Sequence, residues 1–294
     1  MELTEIIAEL EYYTGKFPQV ALENAIEQQQ AVTPVLLETL EKCKYNQQEL
    51  LEEPDYFLHL YALFLLAQFR ESRAYSPIIE FFSFPGELPM KVTGDVVTED
   101  LGRILASVSH GNLDPIKSLV ENQQVNEFIR GAGLDSLITL FAEGIISRET
   151  VIGYFQELFS SKLTKESFFL WNSLVYNSME LYPLELQESI QQAFELELVE
   201  PFFINQKEID SCLEQGKDAT LEELRNDPHY RFIEDTIKEM KGWGCFQNED
   251  ATRNKKAFGF EHLKLSSSSK SKSSQKQSKK KQKKSRQKNR SKKK

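Results

Sequence analysis

Four histidines, His59, His110, His229 and His262, and three cysteines, Cys43, Cys212 and Cys245, are the side chains of this chain best suited to metal or thiol chemistry. No histidine stands four residues from another, the spacing that would place two imidazoles on one helical face. The cysteines follow no ligand spacing either, so the sequence implies no metal site and no cofactor. His59 sits in an apolar run and is expected as a hydrogen-bonded core residue. Cys43 and Cys212 read as small core fillers, and Cys245, beside Trp243 and Phe246, has no neighbouring base. An odd, sparse set of thiols fits a reducing compartment, and a cytoplasmic location follows as the expectation.

Paired carboxylates are the next source of chemistry. Glu52-Glu53, Glu99-Asp100, Glu222-Glu223 and Glu234-Asp235 are such pairs, but in a body this acidic they arise readily on solvated faces. One cluster stands apart: Asp95, Glu99, Asp100 and Arg103, with His110 and Asp114 at the other end of the same helix. Helix capping plus an Asp100–Arg103 pair at i, i+3, worth a few tenths of a kcal/mol, accounts for it. A polar patch beside a long 84–97 loop, recognising a partner, is the sharper account. Arg130-Gly131-Ala132-Gly133-Leu134-Asp135-Ser136 echoes a phosphate loop but follows no strand and lacks the full spacing. Gly131 and Gly133 lie in a helical pattern, where each costs ~1 kcal/mol relative to Ala, and close helix–helix approach is the expected reason. No G-x-S-x-G segment occurs. The chain is therefore read as non-enzymatic, with an enzyme built on the 94–115 patch as the remote alternative.

The strongest chemical signal is charge. Residues 265–294 carry fourteen Lys or Arg and no acidic side chain, whereas residues 1–264 carry 22 basic against 45 acidic ones. Lys279, Lys280, Lys281, Lys283, Lys284, Arg286, Lys288 and Arg290 are the densest part of this tail. A like-charged block without aromatics cannot offset its ordering entropy by burial, so it is expected to be disordered. Its affinity for RNA or another polyanion would be sequence-blind and salt-dependent, with no stacking platform for bases. Its ten serines offer sites where phosphorylation would cancel charge. A solubilising extension with no dedicated partner is the plain reading of the same run. Residues 180–240, with sixteen acidic and five basic side chains, form a second charged stretch of opposite sign.

Helices must position these residues. Leu101, Ile104, Leu105 and Val108 fall at i, i+3, i+4 and i+7, with Thr98 expected as the N-cap and Glu99 and Asp100 in the first turn. Asp114-Pro115 opens another helix, with Ile116, Leu119 and Val120 inward, Ser147 caps a further one, and Thr33-Pro34 opens an earlier one. Tyr56–Phe69 is the most apolar run, too short for a bilayer core of ~30 Å and read as a buried helix, so no membrane span is expected. The start of the chain, acidic and amphipathic, is unlike a secretory signal. Second-helix starts recur at intervals of roughly 35–38 residues, and no run alternates as a strand would. Pro85, Gly86, Pro89 and Gly94 mark residues 84–97 as an inserted loop. The expected architecture is all-α, a HEAT/armadillo-like helical-repeat solenoid over 1–245, a linker over 246–264, and a disordered basic tail over 265–294.

Gly94-Asp-Val-Val-Thr-Glu-Asp-Leu-Gly-Arg-Ile-Leu-Ala-Ser-Val108 is the most distinctive stretch, together with Phe69-Arg-Glu-Ser-Arg-Ala-Tyr-Ser-Pro77 before it and Gly111-Asn-Leu-Asp-Pro115 after it. It resembles an uncharacterised bacterial family, domain of unknown function 1186, over about residues 1–245, including Phe232-Ile-Glu-Asp-Thr-Ile237 and the Gly-Trp-Gly-Cys-Phe segment at 242–246. The resemblance implies an all-helical, HEAT-like fold and carries no catalytic residues with it. Many members end in a short Cys-rich zinc-binding motif, whereas this chain has no cysteine after Cys245. A role resting on that zinc motif is therefore not implied here.

Together these readings describe a non-enzymatic scaffold or adaptor that binds a protein partner on its helical surface, its tail adding affinity for polyanions. A nucleic-acid- or ribosome-associated protein acting mainly through the tail is the alternative. In a protein exported into a host cell, the same tail would serve as a nuclear or nucleolar address.

Overall fold

The computed structural model describes residues 1–164 and 167–247. They form α1 (Leu3–Glu11), α2 (Gln19–Glu27), α3 (Gln29–Tyr45), α4 (Gln47–Glu52), α5 (Leu58–Gln68) and α6 (Tyr75–Phe82). There follow α7 (Leu88–Thr93), α8 (Val96–Glu99), α9 (Leu101–Ser109), α10 (Asp114–Glu121), α11 (Glu127–Ala142) and α12 (Arg148–Glu157). The remainder are α13 (Phe168–Glu180), α14 (Gln187–Glu195), α15 (Gln206–Gln215), α16 (Lys217–Asn226), α17 (Thr236–Lys241) and α18 (Gly244–Gln247). Among the described residues only two isolated bridges, Tyr12 with Tyr56 and Gly86 with Val125, have β pairing. None of these helices is long and apolar enough to cross a membrane. The basic tail expected over 265–294, and the linker before it, lie outside the described residues but for Phe246 and Gln247.

Central helices pack side by side in the order α5, α9, α11, α13. Helices α3, α6, α10 and α12 flank that row, each touching one or two of its members. Covering on more than one side explains why α5 is buried at every position from Leu58 to Ala67 and why α11 is apolar almost all round. Three of the four central helices end on a non-glycine residue in the left-handed region: Arg70 (φ 53°) after α5, His110 (φ 49°) after α9 and Tyr182 (φ 59°) after α13, with Gly144 (φ 73°) after α11. After α5 and α11, Glu71 N–H donates to the Leu66 carbonyl at 3.0 Å and Ile145 N–H to that of Leu140 at 2.9 Å. These are the 6→1 bonds that satisfy otherwise orphaned helix-end carbonyls.

Three local expectations are corrected. Residues 84–97 are largely helical, because Pro89 opens α7 and Gly94, at φ 60°, closes it; signals read as loop are start and stop signals of a short helix. Thr98 is no N-cap: it lies in α8, its hydroxyl on the Asp95 carbonyl, and the chain breaks at Asp100 (φ −127°) before α9. Thr33-Pro34 lies within α3, which begins at Gln29 directly after the α2 cap, so the helix runs through the proline.

Residues 231–247 turn back along the central row. A segment without a β partner must find other acceptors and donors for its backbone. Here side chains of earlier helix ends supply them: Phe232 N–H donates to Glu143 Oε1 (3.1 Å), Ile233 N–H to Ser107 Oγ (3.1 Å) and Thr236 N–H to Gln68 Oε1 (2.8 Å). In the other direction, Arg70 donates to the Ile233 carbonyl (2.7 Å) and Arg103 to that of Arg231 (2.8 Å). Trp243 and Phe246 then pack edge-on against Phe57, and the Tyr13 hydroxyl donates to the Cys245 carbonyl at 2.7 Å.

Candidate functional site

Two glycines bring the site's helices together. A Cβ on Gly102 of α9 would lie 2.9 Å from Asp135 Cβ and 3.1 Å from the Ala132 carbonyl oxygen of α11. A Cβ on Gly131 of α11 would lie 2.8 Å from the Phe169 ring of α13. Side chains at either place would push the helices apart, so these positions set the α9–α11–α13 spacing. Gly133 meets Val120 of α10 in the same manner, at 2.6 Å.

Beside this junction opens a cleft of about 530 Å³. Its floor and walls come from α8–α9 (Thr98, Glu99, Arg103), α11 (Asp135, Thr139), α13 (Phe169, Asn172, Ser173, Tyr176, Asn177), Phe203 with Ile204, and the turn at Asp227–Tyr230. Asp135 is partly buried and accepts a 2.8 Å hydrogen bond from Asn177 Nδ2. Burial pushes its carboxyl up to about 6, against the hydrogen bond from Asn177. Asn177 is itself fully buried; its Nδ2 also donates to the Ser173 carbonyl at 3.0 Å, and its Oδ1 has no partner among the described residues. Reversing the amide would set its oxygen against two acceptors, so the orphaned atom is the acceptor.

Cleft charge is acidic. Among the described residues Arg103 is the only Lys or Arg on the wall, and its guanidinium is spent inside the protein: Nη2 and Nη1 grip Glu239 at 2.7 and 2.9 Å, and Nη1 also reaches Asp100 at 3.1 Å. Burial pushes the Asp100 carboxyl up to about 6 even beside this cation, with Glu239 and Glu99 adding to the rise. That leaves Glu99, Asp135 and Asp227 as the carboxylates of the wall, and Asp227 accepts from the His229 backbone N–H at 2.8 Å with the His229 ring Nδ1 3.0 Å away. Behind Tyr176, burial raises Glu180 as well. Burial lifts the Tyr176 hydroxyl to about 12 and Tyr230 further, so both act as neutral groups. At the rim, Phe202 is 89 % and Phe203 64 % exposed, their rings edge-to-face at 5.6 Å.

The sequence-derived cluster is distributed around this site. Asp95 and Glu99 are exposed, and Glu99 and Arg103 belong to the cleft wall. Asp100 and Arg103 are partly buried and paired. His110 and Asp114 are exposed beyond the far end of α9, where His110 Nε2 bonds the Arg70 carbonyl at 2.8 Å. Lys279, Lys280, Lys281, Lys283, Lys284, Arg286, Lys288 and Arg290 lie outside the described residues. His59 is buried with Nε2 on the Val92 carbonyl at 2.9 Å, and burial lowers its pKa to about 4. Among the described residues no group of three or more His, Cys, Asp or Glu has a metal-binding arrangement.

Asp135, Asn177, Tyr176 and Tyr230 were not singled out as binding residues by sequence reasoning. Asp135 carried a signal, since it is a carboxylate in the middle of α11, between Leu134 and Leu137, where most neighbours are apolar. Asn177 carried none, because its meaning depends on a residue 42 positions away.

A family model described as "Protein of unknown function (DUF1186)" matches residues 1–247. A protein of Chlamydia trachomatis serovar D, described as uncharacterised, is 39 % identical over 244 residues, covering 83 % of this chain and 96 % of its own length. One from Chlamydia muridarum, described in the same way, is 38 % identical over 244 residues, covering 83 % and 97 %. No solved structure matches the chain.

Proposed function

The chain belongs to the DUF1186 family, a membership that names no activity, and from the cleft we propose a non-enzymatic interaction module that holds a basic segment of a partner protein. The observation that carries this reading is the acidic wall of Glu99 and Asp135, with Asp227 bonded to His229 beside them, next to the exposed Phe203 and its chain neighbour Phe202. Aromatic side chains at the rim offer large contact area at low entropic cost, and charge complementarity selects the partner's sign. We further propose that the pairs α5/α6, α9/α10, α11/α12 and α13/α14 are HEAT-like repeats. The second helices begin at residues 75, 114, 148 and 187, and contacts recur at matching separations, as in Tyr75 to Asn112 and Lys117 to Tyr154, each 37 residues apart. In this reading residues 265–294 add affinity for polyanions, and the protein acts in the cytoplasm.

A displayed peptide library panned on the full-length chain tests the cleft. Basic segments should be enriched, and Asn172→Arg, which brings a cation to the wall, should weaken the selected peptides at least tenfold. Enrichment of acidic or uncharged peptides, or equal binding by this variant, would refute the cleft as the partner site.

A further inference from the structure

Asp135 and Asn177 line the same cleft, and among the described residues a single hydrogen bond, from Asn177 Nδ2 to Asp135 Oδ1, occupies their side-chain oxygens. Asp135 Oδ1 takes the Asn177 amide, and no cation among the described residues pairs with its carboxylate. Asn177 Oδ1 is fully buried and unpartnered, an arrangement that costs free energy until a donor arrives. Rings of Phe169, Tyr176 and Tyr230 line the same space, and aromatic faces attract cations. A divalent metal would need more anionic or imidazole ligands than the described residues bring together. An alkylammonium or guanidinium, by contrast, has several N–H donors and suits a carboxylate beside an amide oxygen.

We infer that Asp135 and Asn177 form a subsite for one cationic N–H group, the ammonium of a lysine or the guanidinium of an arginine in the bound segment. The inference deepens the interaction reading above and rests on it. Free amines share the chemistry and are the other source of such a group. Asp135 is the anionic anchor and Asn177 the group that orients it; the Gly102 and Gly131 contacts hold both at the junction of α9, α11 and α13.

Isothermal titration calorimetry on the full-length chain at fixed, physiological salt separates the outcomes. The probes are glycine-flanked peptides carrying one Lys, one Arg or one norleucine, and cadaverine as the free amine. Lys and Arg peptides should bind at least tenfold more tightly than the norleucine peptide at pH 7.5. Asp135→Asn and Asn177→Leu should erase that difference, while Glu222→Gln, outside the cleft, should preserve it. Binding to the wild-type chain should also weaken as pH falls from 7 to 5, and should do so equally in His229→Gln, which removes the other cleft-wall group that takes up a proton in this window. Equal binding of Lys and norleucine peptides, or a preference that survives both cleft variants, overturns the subsite. Basic peptides that still bind those variants tightly leave the interaction reading standing without it. Cadaverine binding as tightly as the peptides, with the same dependence on Asp135, keeps the subsite but assigns it to a free amine and defeats the protein-segment reading.

Discussion

Arg103 and Glu239, 136 residues apart, meet in a two-pronged ion pair with contacts of 2.7 and 2.9 Å. The same guanidinium donates to the Arg231 carbonyl, so one side chain of α9 ties down both ends of the returning segment from 231 to 239. Because that segment begins at the cleft's Asp227–Tyr230 turn, the pair links the C-terminal stretch to the shape of the site.

Removing one partner of a shielded pair leaves the other uncompensated. Glu239→Ala should therefore destabilise the chain by about 2–4 kcal/mol. Arg103→Met should cost a similar amount, and the double variant less than the sum, since the residues act as a unit. Urea denaturation measures these values. Limited proteolysis should show earlier cleavage within 227–247 in the single variants.

Gly102→Ala probes the helix spacing. The added carbon meets backbone and Cβ atoms of α11 at 2.9–3.1 Å, which cannot swing aside as a side-chain tip would. Overpacking of this kind costs about 1–3 kcal/mol. Gly153→Ala, where nothing lies within 4 Å, should be neutral or stabilising by a few tenths of a kcal/mol. Thermal unfolding of the two variants side by side checks the contrast.

Asp135 and Glu185 should give stability profiles of opposite sign. Asp135 has a folded value of about 6, above its ordinary 3.8, so the native state binds the proton more tightly. Its contribution to stability is highest below pH ~4 and declines until pH ~6. Asp135→Asn should therefore stabilise the chain at pH 7, by about 1–3 kcal/mol, and change little at pH 3.5. Glu185 is held down to about 2 by its hydrogen bonds from Arg148, at 2.7 and 2.6 Å. Its stabilisation is present above pH ~4.5 and is lost as pH falls towards 2. Because Glu185 is 43 % exposed, Glu185→Gln should cost only ~1 kcal/mol at pH 7 and nothing near pH 2. Denaturant titrations across pH test both signs.

Residues 265–294 should bind nucleic acid by charge alone. Affinity of the full-length chain for labelled duplex RNA should fall roughly 10³-fold between 50 and 200 mM salt, as expected for at least six phosphate contacts. Deleting the tail should abolish that binding without moving the thermal transition of the helical body. Equal RNA affinity with and without the tail would exclude it as the binding element.

By itself the sequence determined what local chemistry controls. Apolar residues at helical spacing specify α9 to α12; Ser147 accepts from Thr150 N–H as an N-cap should, and the burial of the Tyr56–Phe69 run follows from its composition. Gly131 and Gly133 announced a close helix approach, because glycine inside a helix is unfavourable unless packing requires it. Charge segregation was equally plain, since it depends on composition alone. Tertiary structure decided everything that needs two distant segments at once. Arg103 looked like the partner of Asp100, three residues away, and is that, but it also grips Glu239, which no local pattern encodes. Left-handed ends at Arg70 and Tyr182 have no mark in the sequence, since neither glycine nor asparagine stands there, whereas the stop at His110 is signalled by Gly111-Asn112. Asp135 and Asn177 share a cleft only because α11 and α13 pack side by side, and an orphaned acceptor exists only once the folded neighbours have failed to supply a donor.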